Sequence, residues 1–369
     1  MSGPVLPPGG QPPTGAPWPG PQGPGPYPPG SWPQPGPPPG PPRGNLRWIL
    51  LALAFLAVIA VSVAATVWVT HRGPGNQAGS SGSSQRSSGE IASANDTGPV
   101  GIITEDPTCD RWLALLSNSS SQLEAWGQRD DSIPVSAWTP EQRQIYESAG
   151  RVLRSQIDHT VPLARETPHR VMRELYEQLI AYYRSYADAI PSYKPSDNAF
   201  AVVGNNISGA LLHICSSITN LSAAKRYSPS SAAAQPTEAA RVDDPAEAPW
   251  FLTAPSPVCA RLRSQNKSDD AKLGEWLKLD NVPAEQWSPT DKLIWENAAQ
   301  VLAERADQIE EIGKSGGNPV IGDFLALSAQ YYRTYASGIP TFSVQDAELY
   351  AAAQSIGAVV SAACLAVEG

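Results

Sequence analysis

Apolar positions follow three different patterns along this chain. Residues 1–46 show no period, Trp48–Val69 are apolar on every side, and beyond residue 107 apolar residues recur at spacings of three and four. That succession predicts a non-folding head, one membrane-crossing helix and a helical remainder. The helical stripe is clearest at Ile145, Ala149, Val152, Leu153 and Gln156. It follows Thr139-Pro140-Glu141-Gln142, in which a capping Thr precedes Pro at the first helical position and Gln stands at the third. Ser288-Pro289-Thr290-Asp291 repeats the same entry.

The pattern is itself duplicated. Cys109 matches Cys259 and Trp126 matches Trp276 at an offset of 150; after one residue is dropped, an offset of 149 matches Trp138 with Trp287 and Glu147 with Glu296. The same offset carries Tyr182-Tyr183-Arg184-Ser185-Tyr186-Ala187 onto Tyr331-Tyr332-Arg333-Thr334-Tyr335-Ala336, and Cys215 onto Cys364. A period this long fits two tandem domains better than a solenoid. Four helices are predicted in each copy, near 108–127, 140–160, 168–189 and 197–218, and near 258–279, 289–312, 318–337 and 345–366. Short connections favour an up-down-up-down bundle, in which the start of the first helix and the end of the fourth share one end. Of the three possible connectivities, this predicts Cys109 with Cys215 and Cys259 with Cys364.

The expected architecture is therefore all-α, with two tandem disulfide-closed four-helix domains. Its segments are a disordered Pro/Gly-rich cytoplasmic tail (1–46), a transmembrane helix (47–70), a flexible Ser/Gly-rich stalk (71–106), helical repeat 1 (107–221), a linker (222–250) and helical repeat 2 (251–369).

Composition sharpens the head and the span. Pro and Gly make up 30 of the first 44 residues, too little apolar surface to fold. Repeated Pro-x-x-Pro spacings around Trp18, Tyr27 and Trp32 suit polyproline II. A helix over residues 48–69 reaches about 33 Å, enough for a bilayer core, with Trp48 and Trp68 at headgroup level. Arg43 and Arg47 before it, against His71 and Arg72 after it, give a small bias that favours the N-terminus in the cytoplasm, and the four cysteines after it suit an extracytoplasmic location.

Charge excludes one class of partner. Residues 101–369 carry 22 Lys and Arg against 33 Asp and Glu, so nucleic acid should be repelled.

Candidate chemistry is sparse. His159, His169 and His213 have no counterpart in the second copy, which argues against a duplicated metal site or His-dependent active site. Gly313-Lys314-Ser315 resembles the end of a phosphate loop, but Gln308 stands where the earlier Gly is required. No catalytic residue, cofactor or metal is expected. What recurs is an arginine with a carboxylate and aromatic residues: Arg184, Glu147, Tyr182, Tyr186 and Trp138, repeated as Arg333, Glu296, Tyr331, Tyr335 and Trp287. If each arginine meets its glutamate, the set is either a structural latch or a pocket gripping an anionic group.

A Pro/Gly-rich head, a single span, a Ser/Gly stalk and an exported helical part with paired cysteines, in that order, resemble the proline-rich membrane proteins of mycobacteria and related actinobacteria. The resemblance rests on composition and order, implies an envelope location and carries over no site residues. The resulting expectation is a single-pass membrane-anchored envelope protein, held by the lipid bilayer through residues 48–69. Its duplicated extracytoplasmic domain would be a non-enzymatic module for a protein partner or ligand. The alternative is a transmembrane sensor coupling an anionic ligand to the Pro-rich tail.

Overall fold

The helical period after residue 107 is realised as eight long helices among the described residues. These are α1 (Cys109–Gln122), α2 (Pro140–Glu166), α3 (Arg170–Ala189) and α4 (Asn198–Thr219) in the first copy. The second holds α5 (Pro257–Leu273), α6 (Pro289–Lys314), α7 (Pro319–Gly338) and α8 (Ala347–Glu368). The computed structural model describes residues 91–228 and 239–368. The expected head, the span at 48–69, residues 71–90 of the stalk and residues 229–238 of the linker lie outside the described residues.

The helices begin where local chemistry starts them. Thr139 Oγ1 accepts from the Gln142 amide at 3.2 Å while Gln142 Oε1 accepts from the Thr139 amide at 3.0 Å, a reciprocal cap on α2. Ser288 and Asp291 cap α6 in the same way. Gly313-Lys314 is the last turn of α6, so its likeness to a phosphate loop is a helix ending. Most boundaries match the sequence pattern; the exceptions are α1 and α5, which end at Gln122 and Leu273 rather than near 127 and 279, and α2, which runs through Pro162 to Glu166, past the expected end near residue 160.

Within each copy the chain goes up, down, up and down. α1 lies beside α2 and α4, and α3 lies between α2 and α4; α5 to α8 repeat the arrangement. Cys109 is bonded to Cys215 and Cys259 to Cys364, which ties the start of the first helix to the end of the fourth in both copies. The tightest approach needs a glycine: a Cβ on Gly204 would run into the ring of Tyr183, so α3 and α4 approach closely there.

The sequence led us to expect two domains joined by a free linker, and the structure differs. Ser84–Gly369 is one compact unit. Its most extensive helix contact is between copies, α4 against α8. The two run antiparallel: His213 meets Glu348 at 2.8 Å, Asn220 Nδ2 donates to the Gln345 carbonyl at 3.2 Å, and a Cβ on Gly209 would lie 3.6 Å from Ser355 Oγ.

The expected spacers also take part in packing. Residues 91–106, read as stalk, form a strap in which Ser93, Val100, Ile102, Ile103 and Asp106 are buried. Tyr331 of the second copy donates to the Ile103 carbonyl at 3.5 Å. In return the end of the linker crosses onto the first copy. Gln178 donates to the Pro249 carbonyl and accepts from the Phe251 amide, both at 3.0 Å, and Trp250 stacks on Tyr182 with centroids 5.9 Å apart. Composition alone marked these stretches as spacers; a few apolar residues in each decide their fate.

Closing a loop of 105 residues by the Cys259–Cys364 bond should contribute about 4 to 5 kcal/mol through restriction of the unfolded chain. Replacing both cysteines by serine is expected to lower the unfolding free energy by about that amount in urea titration. A loss near zero would mean that packing alone holds the ends of α5 and α8 together.

Candidate functional site

The recurring aromatic residues converge on one cluster per copy. In the first, Trp138 stacks on Tyr146 (4.0 Å between centroids) and on Tyr193 (5.4 Å), Tyr186 meets Tyr193 edge-on, and Trp126 Nε1 donates to Tyr186 Oη at 2.8 Å. In the second, Trp287 stacks on Trp295 (4.6 Å) and on Phe342, with Tyr335 and Trp276 edge-on to the group. Both loops close alike: Trp138 donates to the Ile133 carbonyl and Trp287 to the Val282 carbonyl, at 2.8 and 2.9 Å. Burial pushes the Tyr186 hydroxyl up to about 12, so it stays protonated. Tyr146 with Trp295, and Tyr193 with Phe342, occupy equivalent positions and were missed in the sequence. They are aromatic in both copies but not identical, and a search for identities passes over them.

Tyr182 and Tyr331 do not join these clusters. They face the boundary between copies, Tyr182 under Trp250 and Tyr331 under the strap carbonyl of Ile103.

The expected arginine–glutamate pairs do not form. Arg184 donates to the Ala246 carbonyl at the end of the linker. Arg333 binds Asp307 at 2.8 Å and Glu310 at 2.6 Å. Glu147 is exposed, and Glu296 is exposed with only Lys292 at 3.9 Å. Helix register explains the difference. Arg154 bonds to Asp188 and Arg333 to Asp307, which sets Arg184 level with residue 158 and Arg333 with 307. Each arginine therefore lies three turns, about 16 Å, from the glutamate of its own copy. Glu147 also sits about 100° around the helix from the buried Tyr146, Gly150 and Leu153, so it faces water. The space beside it is a shallow groove of about 240 Å³ lined by Gly150, Arg151, Arg154, Ala187, Ile190 and Pro191.

A different group of charges occupies the heart of the molecule. On α3, Arg170, Arg173, Glu174 and Glu177 stand at i, i+3, i+4 and i+7, and all four are buried. The guanidinium of Arg170 holds Asp323 of α7 by two bonds (2.7 and 3.1 Å) and the strap carbonyls of Asp96 and Gly98 (2.6 and 3.2 Å). The Arg170 amide donates to the Asp96 carboxylate at 2.7 Å. Arg173 reaches Ser93 Oγ at 3.3 Å and Glu177 at 3.2 Å.

Glu174 lies between the two arginines at 3.8 to 3.9 Å, yet neither of its carboxyl oxygens makes a hydrogen bond. Burial, with Asp323 adding to it, raises its pKa well above the carboxylate range, against the pull of Arg173 and Arg170. Burial also pushes Glu177 up to about 7, opposed by Arg173 and reinforced by Asp243. Among the described residues no group of histidines, cysteines and acids is placed to hold a metal ion.

This junction was not foreseen from the sequence, because a charged stripe on a helix ordinarily faces water. The signal lay in the comparison of copies: the equivalent positions on α7 are Pro319, Gly322, Asp323 and Ala326, which keep one acid and clear space for the rest.

Arg170→Met strands Asp323 and two strap carbonyls in the interior, so a loss of about 3 to 5 kcal/mol is expected in urea unfolding. Arg333→Met should cost only about 1 kcal/mol, because Glu310 keeps Lys314 at 2.7 Å. Equal losses would refute the assignment of Arg170 as the joint. Glu177 titrates near 4.5 when unfolded and about 7 when folded, so its contribution is complete below about pH 4.5 and is lost as pH rises through 7. Glu177→Gln is therefore expected to flatten the fall in stability between pH 5 and 8, and unfolding midpoints across that range check it.

Residues 91–368 match the family described as mycobacterial ESX-1 associated protein. An uncharacterized protein of Mycolicibacterium smegmatis (strain MKD8) is 39 % identical over 339 residues, covering 91 % of this chain and 89 % of the relative. No solved structure matches the chain.

Proposed function

The chain belongs to the mycobacterial ESX-1 associated protein family, and on that footing we propose that it is a non-enzymatic component of the cell envelope that serves ESX-1 secretion by binding a protein of that apparatus. The observation that carries this reading is the extent of the match, which spans the whole helical body from the strap to the end of α8. Two further features support it. The recurring arginines and aromatic residues are engaged with the chain's own carbonyls, acids and rings, which leaves recognition to the outer surface. Both disulfides suit an oxidising compartment outside the cytosol, in keeping with residues 48–69 as an anchor and residues 1–46 as a cytoplasmic tail.

A second reading, a sensor relaying an extracytoplasmic signal to the Pro-rich tail, is favoured by the strap. A packed segment at 91–106, tied to Arg170 at the junction of the copies, can transmit force where a free stalk cannot.

Deleting the gene in a mycobacterium that carries ESX-1 is expected to reduce the ESX-1 exported proteins in culture filtrate, with recovery by the full chain but not by residues 1–90 alone. Unchanged export would overturn the proposal. Recovery by a chain whose residues 1–46 are replaced by an unrelated tail separates the binding module from the sensor.

A further inference from the structure

The fourth helices of the two copies differ from the rest of the surface in charge. α4 contains no Asp, Glu, Lys or Arg over 22 residues, and α8 contains only Glu348 and Glu368 at its ends. Both are long and apolar enough to cross a membrane by length and composition. Yet only 56 % of the most apolar stretch of α4, and 44 % of that of α8, is buried in the body. A core helix of this composition is ordinarily covered on all sides.

The less covered side of each helix is one row. On α4 it is the exposed Val202 and Asn205 with the half-buried Gly209, Leu212 and Ser216; on α8 it is the exposed Gln354 and Leu365 with the half-buried Ala351, Ala358 and Ser361, the last at the edge where it accepts from Asn266 of α5 at 3.4 Å. Because α4 and α8 run antiparallel and meet near Gly209 and Ser355, the two rows lie side by side along the seam. Val202 is 41 % and Leu365 62 % exposed.

We propose that this face is where a second copy of the chain docks. Two adjacent helices about 33 Å long and 10 Å wide present roughly 650 Å² per copy, so pairing like faces buries about 1,300 Å², within the range of specific interfaces. Charge selects the occupant. Residues 101–369 hold 33 acids against 22 bases, so two bodies repel over most of their surfaces and approach without like-charge opposition where no charge is present. The same acidity disfavours an anionic bilayer, and the face lacks the lysines and arginines of a helix that lies on lipid. Gly209, Ala351, Ala358 and Ser361 let helices approach closely, and a two-fold axis sets the same patch of one copy against that of the other.

The test uses the full chain in its own membrane, as two differently tagged copies expressed together, with a photoreactive benzoyl-phenylalanine replacing Leu365. Irradiation is expected to join the two tags. The adduct should fall at least tenfold when Ala358→Lys is added, while both native disulfides persist. Combining Ala358→Lys in one copy with Ala358→Glu in the other should restore it. The same photoreactive residue in place of Leu293, which is 67 % exposed on α6, should give no joined tags. Adducts only to lipid or only to another protein would overturn the proposal, as would joined tags that survive Ala358→Lys.

Discussion

One guanidinium sets the terms for this molecule. Arg170 is 2 % exposed and binds three pieces of chain at once: its own helix α3, the strap at Asp96 and Gly98, and Asp323 of the second copy. A charge removed from water to that degree is tolerated only when partners surround it, and removing one partner exposes the others to the same penalty. The strap cannot leave without unsatisfying Arg170, and the copies cannot separate without unsatisfying Asp323. Duplicated units that might have been independent are in this way made into a single body.

The duplication also explains how such a junction could be built. In the second copy the positions of Arg170, Arg173 and Glu177 are Pro319, Gly322 and Ala326, whereas the acid at Glu174 is kept as Asp323. One copy supplies the charged stripe and the other supplies room and a counter-charge. Elsewhere the copies keep chemistry in kind: each has its aromatic cluster, its disulfide and its capped second helix. The arginines have diverged in partner. Arg333 finds Glu310, while the first copy has Val161 at that position and Arg184 turns to the Ala246 carbonyl. Identity between copies thus preserved the residue and not its contact.

What the sequence revealed follows the range of the interactions concerned. Helix starts, the aromatic loops and the disulfide pairing depend on neighbours along the chain or on which ends of a bundle coincide, and Thr139, Ser288 and the four cysteines showed them plainly. The register of α3 against α2 depends on where α2 stops. In both copies that register sets the arginine three turns from the glutamate, as the Arg154–Asp188 and Arg333–Asp307 pairs show, and spacing along one helix does not reveal it. The buried junction was hidden for another reason. A stripe at i, i+3, i+4 and i+7 fixes which residues share a face and says nothing about what covers that face. Arg170 and Glu174 are indistinguishable in sequence from a solvated pair, and only Asp323, 149 residues further on, settles the matter.

The distribution of charge then divides the labour between inside and outside. The interior buries more acids than arginines, yet residues 101–369 hold 33 acids against 22 bases, so acids still dominate the outer surface and keep most bodies apart. Among the long helices α4 and α8 are the exception: apart from the His213–Glu348 pair they meet through uncharged residues such as Gly209 and Ser355, and the less covered sides beside the seam carry no charge between Val202 and Leu365. The seam that fuses the copies and the face left open beside it are consequences of a single requirement, close packing of two fourth helices. A structure that needs the first acquires the second, and any partner that tolerates the acidic surroundings meets it there.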